Sequence, residues 1–459
     1  MKRLSLLLLG AALAGCATTA PGPMTTGSDG PPVATGADDD GAMAAAPLAA
    51  CIDGVAAPAG RSGDGMGPFE CSNVDLLAHL TVADIDPTAQ GGNDIWGWTD
   101  PQTGKEYAIV GMTNGTAFVD VSTPTAPVHL GTLPTQTVET VWRDIKTYRN
   151  HAFIVSEARD HGVQVFDLTR LRGLAADPAR KFTSDALYDR VTNVHNIVIN
   201  EDSGFAYAVG SGSRGDDLPA ECGAPGFHAI NIQDPQNPTF AGCFSDGASD
   251  TGPVSAPGYT HDAQCIMYDG PDTDYTGREI CVGSNEDVVT FFDVTDKDDV
   301  RVISMAAYPG DAYTHQNWFT EDRRFVLAND ELDEQTGTTA TQRTLIFNTE
   351  DLDAPEFVGA YDSGMTTIDH NLYVVGNLNY QSNYQSGLRI LDHSDIANGV
   401  MTEVAYFDTY PQGTEINFAG QWSNYPYFES GIVVANDSDN GLFVLMPRVE
   451  TASGAVGGQ

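Results

Sequence analysis

The sequence predicts an all-β protein for most of its 459 residues. An apolar run that ends in an acidic or polar turn occurs seven times, and another strand-like run precedes each copy. No sustained helical periodicity competes with these runs, and only residues 168–174 look briefly helical. The seven copies are TAFVDVS (116–122), VQVFDLT (163–169), FHAINIQ (227–233), VTFFDVT (289–295), TLIFNT (344–349), LRILD (388–392) and GLFVLM (441–446).

The spacing of these copies, about fifty residues, favours a β-propeller. Strand-only repeats of this length are typical of blades, in which each small sheet buries its faces against its neighbours. Residues 76–447 are therefore expected to form seven four-stranded blades, with six or eight blades as the alternatives. The last repeat ends after its third strand, at Met446. We expect the strand-like run 75–82 to supply the missing outer strand and close the ring.

The N-terminus predicts export and lipid attachment. Lys2 and Arg3 precede a short apolar run, and the sequence Leu-Ala-Gly-Cys ends that run at Cys16. These features predict a lipoprotein signal peptide over residues 1–15 and a diacylglycerol on the thiol of Cys16, which would anchor the chain to a membrane. The alternative is an ordinary signal peptide with an accidental cysteine. Ala17, rather than an aspartate, follows Cys16 and favours an outer-membrane lipoprotein whose body faces the periplasm or the cell surface.

The remaining segments are predicted from composition. Residues 16–50 are rich in Ala, Gly, Pro, Thr and Asp and have almost no large apolar side chains, so they predict a lipidated, disordered tether. Residues 51–75 are a cysteine-containing N-terminal segment, and residues 448–459 are a flexible tail. A closed ring on a long tether gives no reason to require an oligomer, so we expect a monomeric body.

The cysteines predict disulfides. Of the seven cysteines, six remain after Cys16, and an even number in an exported protein favours disulfide pairing. Fifteen pairings are open from the sequence alone. Pairing of neighbours along the chain gives Cys51–Cys71, Cys222–Cys243 and Cys265–Cys281, and the last pair would join adjacent strands of one blade. A cysteine–zinc site is the competing interpretation, although no C-x-x-C spacing occurs.

The formal net charge of −41 restricts the partners. It argues against nucleic acid, whose binding needs clustered cations. It favours divalent cations or cationic partners. An acidic surface suited to a salty habitat is an equally good interpretation.

The body of the chain also resembles a known family. Its Phe/Val-Asp-Val-Ser/Thr strand ends are similar to LVIVD repeats, and the body from Cys51 to about Pro447 resembles the choice-of-anchor B family. The matching stretches are CSNVDLL (71–77), NDIWGW (93–98), THDAQ (260–264), GPDTDY (270–275), YTHQNW (313–318) and NDELDE (329–334). The resemblance implies an exported β-propeller held at the cell envelope, here by the N-terminal lipid, and it implies no settled activity.

A column of histidines appears when the repeats are aligned on their innermost strands. Four consecutive repeats place a histidine at the start of this strand, and the four are His195, His261, His315 and His370. Residues in the same register of a propeller converge on its central channel, so these imidazoles predict a site for zinc or another divalent transition metal. The alternative is structural, with each histidine only hydrogen-bonded to a neighbouring blade.

Charged residues near this column are candidate catalytic groups. Turns between second and third strands should open on the same face, and they carry Glu157, Asp330 and Glu331. Their carboxylates are expected to complete a coordination shell or to act as acid and base. Asp144 and Arg143 share the register of the histidines, and Arg143 is expected to hold an anionic group of a substrate.

A second cation site is predicted more weakly at Asp269, Asp272 and Asp274. These carboxylates would suit calcium, but the segment lacks the full EF-hand pattern and should lie on the opposite face from the histidines. A solvated turn is the simpler interpretation.

Two functions follow from these features. The first is a binding or interaction module at the cell envelope, whose polar face would take a protein or a small-molecule ligand. The second is a metal-dependent hydrolase or oxidoreductase that uses the channel histidines. Propellers serve both purposes, so the fold alone does not choose between them.

Overall fold

The computed structural model describes residues 47–59, 67–211, 222, 225–247 and 257–449. The predicted signal peptide, the predicted lipidation site at Cys16 and most of the predicted tether and tail lie outside the described residues. Within the described ranges, no helix has the length and apolarity needed to cross a membrane.

The N-terminal residues contribute strands before the first complete sheet begins. These elements are β1 (Cys51–Ile52), β2 (Val55–Ala56), β3 (Phe69–Ser72), β4 (Val74–Leu80) and the short helix α1 (Val82–Ile85). Thr81 begins α1 in a reciprocal pair of hydrogen bonds with Asp84, which satisfies two backbone N–H groups at the helix start.

Five antiparallel sheets follow, each built from four consecutive strands. Sheet I contains β5 (Gly92–Thr99), β6 (Glu106–Met112), β7 (Gly115–Asp120) and β8 (Val128–Pro134). Sheet II contains β9 (Arg143–Tyr148), β10 (His151–Ser156), β11 (Val163–Asp167) and β12 (Ala186–Tyr188), with a 3₁₀ turn at Leu168–Leu171. Sheet III contains β13 (Asn196–Asn200), β14 (Phe205–Val209), β15 (Phe227–Asn231) and β16 (Thr239–Phe244). Sheet IV contains β17 (Asp262–Met267), β18 (Glu279–Ser284), β19 (Val289–Asp293) and β20 (Arg301–Ala306). Sheet V contains β21 (Thr314–Phe319), β22 (Phe325–Asp330), β23 (Arg343–Asn348) and β24 (Glu356–Asp362), with α2 (Asp333–Thr336) after β22.

The last two sheets recruit N-terminal strands. Sheet VI contains β25 (Asn371–Val375), β26 (Leu378–Ser382), β27 (Leu388–Asp392) and β28 (Thr402–Phe407), with a 3₁₀ turn at Ile396–Asn398. Strand β3 pairs with β28, and β2 and β1 continue the sheet outward. Sheet VII contains β29 (Gln421–Tyr425), β30 (Val433–Asp437) and β31 (Gly441–Pro447), and β4 is its fourth strand. The N-terminal strand therefore completes the last sheet, as predicted, and Ala78 lies opposite Val444.

These sheets form a β-propeller, as the sequence predicts. The first strands β5, β9, β13, β17, β21, β25 and β29 contact one another in that cyclic order, and β29 contacts β5. The prediction of seven four-stranded blades is wrong, because six of the sheets formed by the described residues have four strands and sheet VI has seven. The difference arises because residues 51–72, expected to precede the propeller, add β1–β3 to the edge of sheet VI and cover its free backbone groups.

In six of the seven repeats, the Asp or Asn at the end of the third strand closes a turn. Its side-chain oxygen accepts a hydrogen bond from the backbone N–H two residues later, an arrangement that closes an Asx turn. Asp120 accepts from the N–H of Ser122 at 3.0 Å, and Asp392 accepts from that of Ser394 at 2.7 Å. The same bond occurs at Asp167, Asn231, Asp293 and Asn348. The repeat motif therefore ends the third strand and starts the turn to the fourth.

Three disulfides join the cysteine pairs that were predicted. Cys51–Cys71 fixes β1 to β3, Cys222–Cys243 reaches β16, and Cys265–Cys281 joins directly opposed residues of β17 and β18. The cysteines of the described residues thus form disulfides rather than a cysteine–zinc site.

Candidate metal centre

The first strands of sheets III to VI bring the four histidines together at the axis. His195, His261 and His370 each immediately precede the first strand of their sheet, and His315 is the second residue of β21. The ring centroids are 4.3 Å apart for His195 and His261, 4.4 Å for His261 and His315, and 4.4 Å for His315 and His370. The predicted column is therefore a continuous arc of imidazoles.

Three of these histidines have Nδ1 held by a neighbouring group. Nδ1 of His195 lies 2.6 Å from Oε1 of Glu157, and Nδ1 of His370 lies 2.6 Å from the carbonyl oxygen of Trp422. Nδ1 of His261 lies 2.9 Å from the hydroxyl of Tyr313. The carboxylate and the carbonyl are acceptors, so Nδ1 of His195 and His370 donates and the lone pair stays on Nε2. This is the arrangement in which metal-binding histidines are commonly held.

Two nitrogens of the arc are buried without a hydrogen-bond partner, Nε2 of His261 and Nδ1 of His315. Both side chains are almost fully buried, at 4% and 2% exposure. An unpaired polar atom in this environment costs about 1–3 kcal/mol, so a purely structural arc would be poorly satisfied.

Glu331 completes the centre from the turn after β22. Its Oε2 lies 3.8 Å from Nε2 of His315 and its Oε1 lies 3.7 Å from Nε2 of His370. The hydroxyl of Tyr384 donates to Oε1 at 2.6 Å and fixes the carboxylate in place. The carboxylate predicted to accompany the histidines is thus within reach of two of them.

Burial sets the protonation of the arc. It lowers the pKa of His261 and His315 well below the usual range, with a further contribution from the neighbouring imidazoles, and it lowers the pKa of His370 to about 3. For His195 burial acts in the same direction, but the hydrogen bond and charge of Glu157 outweigh it and raise the pKa. Burial raises the pKa of Glu331 to about 7, against the effects of Tyr384 and His195. The low pKa values keep the imidazoles of His261, His315 and His370 neutral at pH 7, the form that binds metal ions.

A second polar layer lies next to the arc, around Lys146. Its Nζ lies 2.6 Å from Oδ1 of Asp144 and 3.6 Å from Oδ2 of Asp94, and it stands 4.5 Å above the ring of Trp96. Oδ2 of Asp144 also accepts from the N–H of Ile197 at 2.6 Å. Asp144, a predicted catalytic candidate, therefore neutralises Lys146 and holds β13. Lys146 was not among the residues predicted from the sequence. It lies two residues after Asp144 on one strand, a spacing that places both side chains on the same face.

Asp330, another predicted catalytic residue, is engaged in structural hydrogen bonds. Asp330 accepts from the hydroxyl of Tyr308 and from the N–H groups of Ala312 and Tyr313, each at 2.7 Å. Both carboxylate oxygens of Asp330 therefore accept structural hydrogen bonds, and its catalytic role stays a prediction.

Arg143 is buried at the start of β9. It donates to the carbonyl of Met112 at 3.2 Å, and its Nη1 lies 3.2 Å from Nε2 of His161. Burial lowers the pKa of Arg143 to about 10. It lines the axial cavity with His195 and Trp422, and its Nη2 is buried without a hydrogen-bond partner, so its predicted role in holding an anionic group stays a prediction.

The axial cavity is small, with a volume of about 10 Å³. Its lining includes His195, His315 and His370, and a volume of this size is comparable to that occupied by about one water.

The predicted calcium residues do not converge on one point. Asp269 pairs with Arg323 at 3.1 Å, and Oδ2 of Asp272 accepts from the N–H of Leu352 at 2.9 Å. The carboxylates that approach Asp272 belong to Asp351 and Asp353, not to the residues predicted from the sequence. The interpretation as a turn explains Asp274, whose N–H donates to Oδ1 of Asp272 at 3.2 Å.

The fold and this site define a β-propeller whose axis carries an arc of four histidines and a glutamate. No family model matches the chain, and no curated protein matches it. Many solved structures are similar to it, and two of them illustrate the likeness. The computationally designed Ika8 protein has a TM-score of 0.43 and 8% identity, with 77% of this chain and 82% of that chain covered. The Cps50 (Swd1) β-propeller domain of Myceliophteria thermophila has a TM-score of 0.46 and 11% identity, with 78% and 97% covered.

Proposed function

We propose that this protein is a metal-binding β-propeller, which takes up a divalent transition metal at the histidine arc. The observation that carries the proposal is the orientation of the imidazoles. Nδ1 of His195 and of His370 donates to an oxygen, so Nε2 keeps its lone pair, and Nε2 of the buried His261 has no other partner. A metal ion gives these nitrogens the partner that the protein does not supply.

The chemistry of the ligands favours zinc, copper, iron or nickel. Imidazole nitrogens suit these metals, whereas calcium and magnesium prefer sites made of oxygen. Glu331 adds one carboxylate to the set, and its position next to His315 and His370 fits a shell of mixed nitrogen and oxygen ligands. The proposed ligands include the four histidines that the sequence places in the central channel, His195, His261, His315 and His370.

The proposed location is the cell envelope. Three disulfides support an exported protein, because such bonds persist in oxidising compartments. The lipobox at Cys16 and the resemblance to the choice-of-anchor B family support attachment of the body to the outer membrane by an N-terminal lipid. The binding module would then hold its metal outside the cytoplasm.

We further infer that the ring has seven units. Sheet VI is widened by β1–β3, but its strands β25–β28 have the same order as the other sheets. Its first strand contacts those of sheets V and VII, as a blade of the ring would. The seven-stranded sheet is then a blade with an added N-terminal hairpin.

A metal-dependent hydrolase or oxidoreductase is the second candidate function. The observation in its favour is the position of the Glu331 carboxylate, 3.8 Å from Nε2 of His315 and 3.7 Å from Nε2 of His370, where it could act as a general base beside a bound metal. The binding function is preferred because the orientation of the imidazoles supports metal uptake directly and does not depend on a substrate.

Elemental mass spectrometry of the full chain, purified without chelator, tests the binding proposal. We expect a transition metal in at least equimolar amount, and its loss from a His261→Ala/His315→Ala double variant. His151→Ala is the matched control, because His151 lies outside the arc and contacts the carbonyl of Arg149. Absence of metal from the wild-type chain after incubation with zinc, copper, iron and nickel would contradict the proposal.

A further inference from the structure

We propose that the histidine arc holds two adjacent transition-metal ions, the first bound by His195 and His261 and the second by His315, His370 and Glu331. This inference rests on the proposed function and specifies how many ions the centre takes and which residues hold each one. The arrangement of the potential ligand atoms carries it.

The potential ligands of the arc fall into two overlapping groups. In the first, one ligand atom from each of His195, His261 and His315 lies within 4.8 Å of the others. In the second, the same holds for His315, Glu331 and His370. Within the described part of the chain, no group contains both His195 and His370.

One ion cannot serve both ends of this arc. Two nitrogens bound to the same zinc ion are at most about 4.2 Å apart, because Zn–N bonds are about 2.1 Å long. His195 and His370 are separated by two further imidazoles, with successive centroid distances of 4.3, 4.4 and 4.4 Å. An ion at either end therefore leaves the ligands at the other end unused.

A single ion also leaves a buried polar atom without a partner. An ion held by His315, His370 and Glu331 does not satisfy the unpartnered Nε2 of His261. An ion held by His195 and His261 leaves Glu331 beside two neutral imidazoles, without a cation. Two ions give a partner to both groups, and His315 lies within reach of either ion, so the two ions are neighbours.

The ends of the arc are also supported separately. At one end Glu157 holds His195, and at the other Trp422 and Tyr384 hold His370 and Glu331. The second group is a set of two histidines and one carboxylate, which occupies only part of a metal coordination shell and leaves positions open. Neighbouring metal ions of this kind bind one bridging oxygen between them in many binuclear sites.

Charge supports the same number of ions. Glu157 and Glu331 lie against the arc, and Asp369 precedes His370 with its Oδ1 buried and without a hydrogen-bond partner. By contrast, Lys146 of the neighbouring layer is already paired with Asp144. Two dications would therefore be offset by these three carboxylates, and Arg143, which lines the same cavity as His195, is the cation that opposes them.

Metal stoichiometry tests the inference on the full chain. The protein is stripped with chelator, incubated with excess Zn²⁺, passed through gel filtration and analysed by elemental mass spectrometry. We expect two equivalents of zinc in the wild type and in the His151→Ala control. We expect a loss of one equivalent in His195→Ala and of one equivalent in His370→Ala.

Copper tests whether the two ions are adjacent. With two equivalents of Cu²⁺, neighbouring ions couple magnetically, which gives a half-field transition in the electron paramagnetic resonance spectrum or, when the coupling is strong and antiferromagnetic, a signal well below that of two isolated ions. We expect one of these signs of coupling in the wild type, and the full signal of one isolated ion in His195→Ala, which retains one ion.

The outcomes separate this inference from the proposed function. One equivalent of zinc in the wild type overturns the two-ion centre and leaves the metal-binding proposal in place. Two equivalents of Cu²⁺ that give the full signal of two isolated ions, without a half-field transition, overturn the adjacency of the ions. No bound metal overturns both proposals.

Discussion

The four histidines of the arc stand side by side, with successive ring centroids 4.3, 4.4 and 4.4 Å apart. The hydroxyl of Tyr313 reaches His261 from the segment before β21. Contacts of Nδ1 such as this one could not be predicted, because they depend on the fold. The convergence of His195, His261, His315 and His370 was predicted from their recurrence at the start of four inner strands and is confirmed, whereas metal binding stays a prediction.

Lys146 offers a residue-level prediction about stability. Its loss leaves the buried carboxylates of Asp144 and Asp94 without their cation, which costs about 3–5 kcal/mol for a buried ion pair. We expect Lys146→Met to lower the free energy of unfolding by this amount in urea titrations. The control is Lys105→Met, which removes an ion pair with Asp120 whose lysine side chain is 49% exposed, and it should cost no more than about 1 kcal/mol. Equal losses in the two variants would contradict the assignment.

The third and fourth strands of the sheets show what an element-level argument achieves. The repeated Phe/Val-Asp-Val-Ser/Thr pattern predicted strand ends, and the Asx turns at Asp120 and Asp392 explain why the acidic residue stands there. The fourth strands contain a repeated irregularity that the pattern did not predict. An extra residue interrupts the register with the third strand in sheets I, III, IV, V, VI and VII. Only some of these bulges carry glycine with positive φ, such as Gly131 and Gly359, so the sequence signal is incomplete.

Asp392 allows the turn interpretation to be tested. Its Oδ1 accepts from the N–H and hydroxyl of Ser394 and from Nδ2 of Asn377 at 3.0 Å. We expect Asp392→Ala to lower the free energy of unfolding by about 1–2 kcal/mol, since it removes the acceptor for these donors. Asp392→Asn keeps an acceptor oxygen, and asparagine occupies the equivalent positions 231 and 348, so this control should cost less than half as much. A larger loss in the Asn variant than in the Ala variant would refute the interpretation.

At the scale of the whole molecule, the closure of the ring depends on a strand from the other end of the chain. The sequence predicted this closure because the last repeat lacks a fourth strand, and β4 pairs with β31 as expected. The seven strands of sheet VI were not predicted, since β1 and β2 have only two residues each and carry no periodic signal. Pairing of β3 with β28 becomes visible only when the two chain ends are placed side by side.

Leu76 tests how much the closing strand contributes to the stability of the molecule. It is fully buried in β4, opposite Leu445, and packs with side chains of sheets VI and VII. We expect Leu76→Ala to lower the free energy of unfolding by about 2–5 kcal/mol and to shift a single cooperative transition. Leu187→Ala in β12 is the control, because Leu187 is 40% exposed and should cost less than about 1 kcal/mol. A separate early transition for sheet VII, with the rest unchanged, would show that closure is not coupled to the whole.

The pairing of β4 with β31 also has a consequence for how the chain folds. Contacts across this pair join residues far apart in sequence, such as His79 and Asn440, which are 361 positions apart. The ring cannot close until nearly the entire chain is available, so this step carries a large loop-closure entropy and should be late and slow. Until then β4 and β31 are unpaired sheet edges, open to association with other chains. This order of events suits a chain that must cross a membrane before it folds. The closed ring cannot form from an incomplete chain, so the chain stays unfolded until nearly all of it has emerged.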